Sequence, residues 1–233
     1  VPLETWFPLA IYTEALTDAA QHRQALLDAV LQLEQTEPDR HNYPDMAWTG
    51  DIHGVAQIHA DPRFAWIVEQ LEMHCLIYLQ ELGLDLDQMQ LYIQRSWPIV
   101  SRTHEGVGSH CHNTAHISGV YYIAIPTEPE LEAGSLVFFD DARMNEVCPG
   151  LGSENTQVVN EFNEFNLLQV SYPPEEGRII IFPAKQRHAV TPNETSELRV
   201  SLSFDILITA ATGADSYEFL APPIDRWRRF KSR

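Results

Sequence analysis

Ser109-His110-Cys111-His112-Asn113-Thr114-Ala115-His116-Ile117-Ser118-Gly119-Val120-Tyr121-Tyr122 places three imidazoles within seven residues and then runs straight into an apolar stretch. In an extended chain, residues i and i+2 project to the same side, so His110 and His112 share a face while Cys111 turns away from it. Imidazole nitrogen suits Fe, Zn, Cu and Ni, which makes this pair at a strand edge two candidate ligands of one ion. A third ligand must then come from elsewhere in the chain. In Ile179-Ile180-Ile181-Phe182-Pro183-Ala184-Lys185-Gln186-Arg187-His188 a second buried-looking strand again ends near a histidine, and His188 is the expected third ligand. Three histidines without a carboxylate could equally form a zinc site, so the spacing does not name the metal. His22, His41, His53, His59, His74 and His104 are read as ordinary solvated or hydrogen-bonded side chains.

Around this stretch the second half of the chain reads as strands. Short apolar runs at 90–100, 117–125, 135–139, 167–172, 178–182 and 198–208 are separated by Gly, Pro and Asn clusters, the pattern of an all-β sandwich or barrel. The first half reads helical in two places. Leu26, Leu27, Val30, Leu31 and Leu33 mark one face of a helix that Pro38 stops. In the second helix Asp61 caps, Pro62 takes the first position, Phe64, Ile67, Val68, Leu71, Cys75, Tyr78 and Leu82 form the stripe, and Gly83 ends it. Both helices are expected to buttress one sheet. The expected organisation is a single domain over 1–233, with helical support at 1–88, a β core at 89–210 and a C-terminal extension at 211–233. The long aperiodic segment 140–166 could cover the metal site.

At 233 residues and 44% hydrophobic, the chain suits one globular core. Thirty-three acidic against 15 basic residues give a net charge of −18, which disfavours a nucleic-acid partner. Five of the basic residues crowd into the last eight positions, a tail expected to dock on the acidic body or to fray. Cys75, Cys111 and Cys148 are odd in number and widely spaced, so no disulfide framework is expected, and a reducing, cytoplasmic setting is the simpler reading. Cys111 is read as a packed thiol. No run reaches the ~20 apolar residues of a membrane helix, and no membrane partner is expected. The chain opens at Val1, so a leader removed before it would be invisible.

Taken together, these residues resemble the Fe(II)- and 2-oxoglutarate-dependent oxygenases, in particular a family found in phages and bacteria. The resemblance rests on His110-Cys111-His112, on Ser118-Gly119-Val120-Tyr121-Tyr122, and on Gly134-Ser135-Leu136-Val137-Phe138-Phe139-Asp140. It continues through Phe182-Pro183 and His188 to Arg199-Val200-Ser201, and Trp6-Phe7-Pro8-Leu9 resembles that family's N-terminus. It implies a mainly β fold with N-terminal helices, a double-stranded β-helix (jelly roll, cupin-like) buttressed by two or more helices. It also implies Fe(II) held by His110, His112 and His188, with His112 where the wider superfamily has a carboxylate. Asp140 or Asp141 could still supply that carboxylate, and His116 could be an alternative ligand or stand behind the ligands. Arg199 and Ser201 would hold the distal carboxylate of the co-substrate 2-oxoglutarate. Tyr122 would either reach that carboxylate or be a strand aromatic.

The implied activity couples oxidative decarboxylation of 2-oxoglutarate to hydroxylation of a C–H bond, with dioxygen and an amino acid, peptide or small metabolite as the other substrates. Arg95, Arg102, Arg143 and Arg187 flank the motifs and could hold an anionic substrate or pair with surface carboxylates. The oligomeric state is open, a homodimer included. Two other readings stand beside this one. A metal cupin would use His110, His112, His116 and His188, and a noncatalytic barrel would bind a ligand or protein through its long loop; Arg199-Val200-Ser201 is accounted for by the oxygenase reading alone.

Overall fold

Residues Ile117–Ala124 are buried without a break. A strand buried at every position must be covered on both faces, and the architecture supplies both covers. The computed structural model describes residues 3–36, 45–127, 133–147, 158–213 and 219–231. In chain order the strands are β1 (Tyr12–Ala15), β2 (Trp48–Thr49), β3 (Met89–Ser101), β4 (Val107–His110), β5 (Ile117–Ala124), β6 (Leu136–Phe139), β7 (Gln169–Tyr172), β8 (Arg178–Pro183), β9 (His188–Val190) and β10 (Arg199–Ala210); the helices are α1 (Ala19–Thr36) and α2 (Ala65–Glu81). They form a larger sheet, β1-β8-β5-β10-β3-β2, and a smaller one, β4-β9-β6-β7, with every strand pair antiparallel. This is the jelly roll that the strand runs and the resemblance lead one to expect.

Alternation along each central strand sorts side chains between two cores. Tyr121, Ile123, Ile179, Ile181, Val200, Leu202, Phe204 and Ile206 face outward and pack with Leu26, Val30, Ile67 and Leu71 of the two helices. Each such large side chain contributes about 1.5–3 kcal/mol by leaving water, so the helices are held by the sheet rather than by their own propensity. The neighbours Val120, Tyr122, Ile180 and Phe182 face the smaller sheet and meet Leu136 and Phe138, while Trp97 and Ile99 line another part of the interior beside Ala47 and Val107. Between these apolar walls runs the inward face of β10, which carries Arg199, Ser201, Ser203 and Asp205.

Several local details depart from the sequence reading. Asp61 does cap, accepting from Arg63 N–H, but the turn it caps, Pro62–Phe64, is a 3₁₀ turn that leads into α2. The helix buries His74 and Leu79 rather than Leu82, which is 44% exposed beyond the last turn. The short strands β1, β2, β4 and β9 carry too few residues to show a period. Pro38, His41, Cys148 and part of the long 140–166 segment lie outside the described residues. In the C-terminal stretch Ala210 N–H donates to Ala221 C=O, and Phe230 is 94% exposed.

Candidate metal centre

His110 ends β4, His188 opens β9, and the two are paired in register across these strands. His112 lies two residues beyond β4, fixed by its backbone N–H donating to Ala184 C=O. The side chains converge: one ring nitrogen from each of His110, His112 and His188 lies within 4.8 Å of the others, a group that could hold a metal ion.

The proton on each ring can be assigned from its partner. His110 Nδ1 lies 2.7 Å from Gly108 C=O and His188 Nδ1 2.8 Å from Gln186 C=O, and a carbonyl can only accept. His112 Nδ1 lies 2.5 Å from the Asp205 carboxylate. All three rings therefore donate from Nδ1 and keep the Nε2 lone pair, the state in which imidazole binds metal. Nε2 of His110 and Nε2 of His112 are 3.1 Å apart. Two lone pairs at that distance repel unless a positive centre lies between them. The donor set thus fits a metal. Burial, aided by the neighbouring rings, pushes the His188 pKa down to about 3 and lowers that of His110. Neither ring has to shed a proton near neutrality to become a ligand.

Further along the interior lies a buried cation. Arg199 is 1% exposed; its Nε–H donates to Gly134 C=O at 2.9 Å and one terminal N–H to Ser201 Oγ at 3.2 Å. Its guanidinium carbon stands 5.0 Å from the centre of the Tyr122 ring. Among the described residues it pairs with no carboxylate. Gly134 is required here, because it adopts φ +65° and a Cβ would come within 2.8 Å of Arg199 Cδ. The buried hydroxyls of Tyr122, of Ser135 beside Gly134, and of Ser101, opposite Arg199 in register, make no hydrogen bond among the described residues. A buried cation with no carboxylate partner, held by one carbonyl, one hydroxyl and an aromatic face, is suited to a ligand carboxylate.

Residues 95–205 match the family described as "putative 2OG-Fe(II) oxygenase". Over that segment, a little under half of its length, the chain is similar to the Fe(II)- and 2-oxoglutarate-dependent oxygenases. The same fold recurs in a Pseudomonas putida prolyl-4-hydroxylase (13% identity, 84% of this chain and 92% of that one, TM-score 0.53). It recurs in a non-haem α-ketoglutarate-dependent carbocyclase of nogalamycin biosynthesis (12%, 92% and 87%, TM-score 0.57). A third example is HygX from Streptomyces hygroscopicus with nickel and 2-oxoglutarate bound (11%, 85% and 82%, TM-score 0.54). No curated protein matches the sequence.

The fold brings together His110, His112 and His188 at one place and Arg199, Ser201 and Tyr122 at another. It does not bring Asp140 to the imidazoles: that exposed carboxylate accepts from Arg143 N–H in a local turn, and Asp141 pairs with Arg187. His116 also stands apart, its Nδ1 accepting from Ile208 N–H where β10 runs past the end of β5. The Cys111 thiol is half-buried against Asn113 Oδ1, not packed in a core. Arg95, Arg102, Arg143 and Arg187 pair with Asp205, Glu34, Glu146 and Asp141 respectively. Other histidines have the ordinary partners expected of them, His59 on Ser96, His53 on Thr49 C=O, His74 on Tyr12 and His104 on Glu194.

Sequence reasoning missed Asp205. It follows Arg199, Ser201 and Ser203 at every second position, and that polar alternation against Val200, Leu202, Phe204 and Ile206 was the signal that could have found it. No helix among the described residues is long and apolar enough to cross a membrane.

Proposed function

We propose that the enzyme hydroxylates an unactivated C–H bond of an amino acid, peptide or small metabolite, with His110, His112 and His188 holding Fe(II) and with Arg199, Ser201 and Tyr122 holding the distal carboxylate of 2-oxoglutarate. Arg199 is the observation that carries this assignment. A guanidinium this deeply buried is costly without an anion, and the described residues supply none, whereas a bidentate fork suits a carboxylate. Bound together, Fe(II) and 2-oxoglutarate would supply the oxidising power that activates dioxygen, with succinate and carbon dioxide as by-products. The protein's own part is positional. The three Nδ1–H donors hold the rings with their Nε2 lone pairs converging, the Ser201 and Tyr122 hydroxyls orient the co-substrate, and Trp97, Val120, Phe138 and Phe182 keep the interior dry.

The ion pairs of Arg95, Arg102, Arg143 and Arg187 support a substrate that does not depend on a strongly anionic group. The cupin alternative needs His116 among the ligands, and that ring is engaged with Ile208. Anaerobic titration with Fe(II) and then 2-oxoglutarate tests the assignment, followed by succinate release with candidate substrates. Protein that binds iron but ignores 2-oxoglutarate would defeat it.

A further inference from the structure

The three imidazoles are not held alike. His110 and His188 each donate to a carbonyl two residues back in their own segment, Gly108 and Gln186, contacts that these segments make locally and that bring no charge. His112 instead donates to the carboxylate of Asp205, 93 positions away and fully buried. Ser118 Oγ–H donates to the same carboxylate oxygen at 2.9 Å, and Arg95 donates to the other at 2.9 Å. The pairing of β10 with β3 shifts register between Asp205 and Ile206, a bulge at the point where Arg95 faces Asp205. Bulges re-aim side chains, and this one lies where the carboxylate meets His112.

We propose that Asp205 is a positioning residue that supplies, through His112 Nδ1–H, the negative charge that a directly ligating carboxylate would otherwise bring to the metal. The inference rests on the three-histidine assignment above. A carboxylate behind a ligating imidazole fixes the ring's tautomer and orientation and makes its far nitrogen a stronger donor. A buried ion pair is by itself poor support for a fold, so a purely structural Arg95–Asp205 bridge leaves the second carboxylate oxygen, turned to His112 and Ser118, without a purpose. Arg95 is partly exposed and stacks on Trp97, whose ring centre lies 5.6 Å from that of His112, so it closes the network on the outer side.

The test uses the whole chain, with two readouts. Nitrogen NMR of the metal-free protein reports the His112 tautomer, and anaerobic calorimetry with Fe(II), or with Co(II) as an air-stable probe, reports affinity. Asp205→Ala is expected to mix the two tautomers of His112 and weaken metal binding about 10–100-fold. Asp205→Asn keeps an acceptor without the charge, so it should restore the tautomer but only part of the affinity. Arg95→Met should keep the wild-type tautomer and weaken metal binding less than Asp205→Ala, because it leaves the His112–Asp205 bond intact. Wild-type affinity in Asp205→Ala, or in Asp205→Asn should the alanine variant fail to fold, overturns the inference. So does an Arg95→Met variant as weak as Asp205→Ala, which would make Asp205 half of a structural ion pair. A wild-type protein that binds no divalent metal overturns the ligand assignment itself, and the inference with it.

Discussion

The inward face of β10 carries two buried charges of opposite sign six residues apart, and the protein treats them differently. Asp205 is satisfied within the chain: His112, Ser118 and Arg95 all donate to it, and although burial works against ionisation, these bonds hold its pKa below the usual carboxylate range. Arg199 has a carbonyl, a serine hydroxyl and an aromatic face, with no anion among the described residues. One end of the strand has its counter-charges within the chain; the other has none among the described residues. Ser203 between them is partly exposed, so the face is open where a ligand would reach from one end toward the other. On the function proposed above, the difference separates the part of the strand that serves the fold from the part that serves the co-substrate.

The largest effect is expected at the histidine end. His188→Ala removes one of three donors and should abolish iron binding in calorimetry, whereas His116→Ala should spare it, since His116 Nδ1 accepts from the Ile208 N–H away from the three rings. Equal loss in both variants would contradict the assignment. Next in size is Arg199→Ala. It should leave the iron in place and cost about 2–5 kcal/mol of 2-oxoglutarate binding, much of it the penalty of leaving a buried carboxylate unpaired. Circular dichroism would confirm that the variant folds, and 2-oxoglutarate affinity unchanged from wild type would remove Arg199 from the co-substrate site.

Acid should separate the two ends in the metal-free protein. His188 has a pKa of about 3 in the fold and about 6.5 when unfolded, so between these values the unfolded chain takes up a proton that the folded one refuses. Stability is therefore unaffected by this group above about pH 6.5 and falls as the pH drops toward 3. Asp205 acts in the same direction, its contribution being present above the ordinary aspartate pKa and lost as the pH falls through its lowered folded value. Arg199 stays charged throughout and contributes nothing to this slope. Urea midpoints measured from pH 7.5 to 4 should decline below about 6.5 in wild type and less steeply in His188→Gln; a flat profile would show that burial of the imidazole carries no such penalty.

The sequence makes some of this legible and hides the rest for physical reasons. The strands at 89–101, 117–124, 178–183 and 199–210 announce themselves because long runs of large apolar residues are needed where a strand is covered on both faces. The histidines stand out because an HxH pair at a strand edge has few structural uses. Strands β4 and β9 are short and give their positions to polar and ligand-type residues, so hydrophobic period cannot find them. Asp205 escaped because its role depends on a partner 93 positions away and on a bulge, neither of which has a local signature. The same is true of the contrast between Arg199 and the other motif arginines: only the fold shows which of them already have a carboxylate.

The smallest effect sharpens the comparison most, because it has opposite signs in two measurements. Tyr122 is fully buried, and its hydroxyl makes no hydrogen bond among the described residues. Burial pushes its pKa up against the pull of Arg199, so the phenol keeps its proton and has a hydrogen to donate. If Tyr122 were only a strand aromatic, Tyr122→Phe would relieve an unsatisfied group and change nothing else. If the hydroxyl instead waits for the co-substrate, the same substitution should leave the metal-free protein as stable or slightly more so, and yet weaken 2-oxoglutarate by about tenfold, the size of one hydrogen bond to a charged group. Thermal melts without ligand and calorimetry with it, on the one variant, give both signs. A melt that rises while affinity holds would return Tyr122 to the core and leave Arg199 and Ser201 to hold the carboxylate.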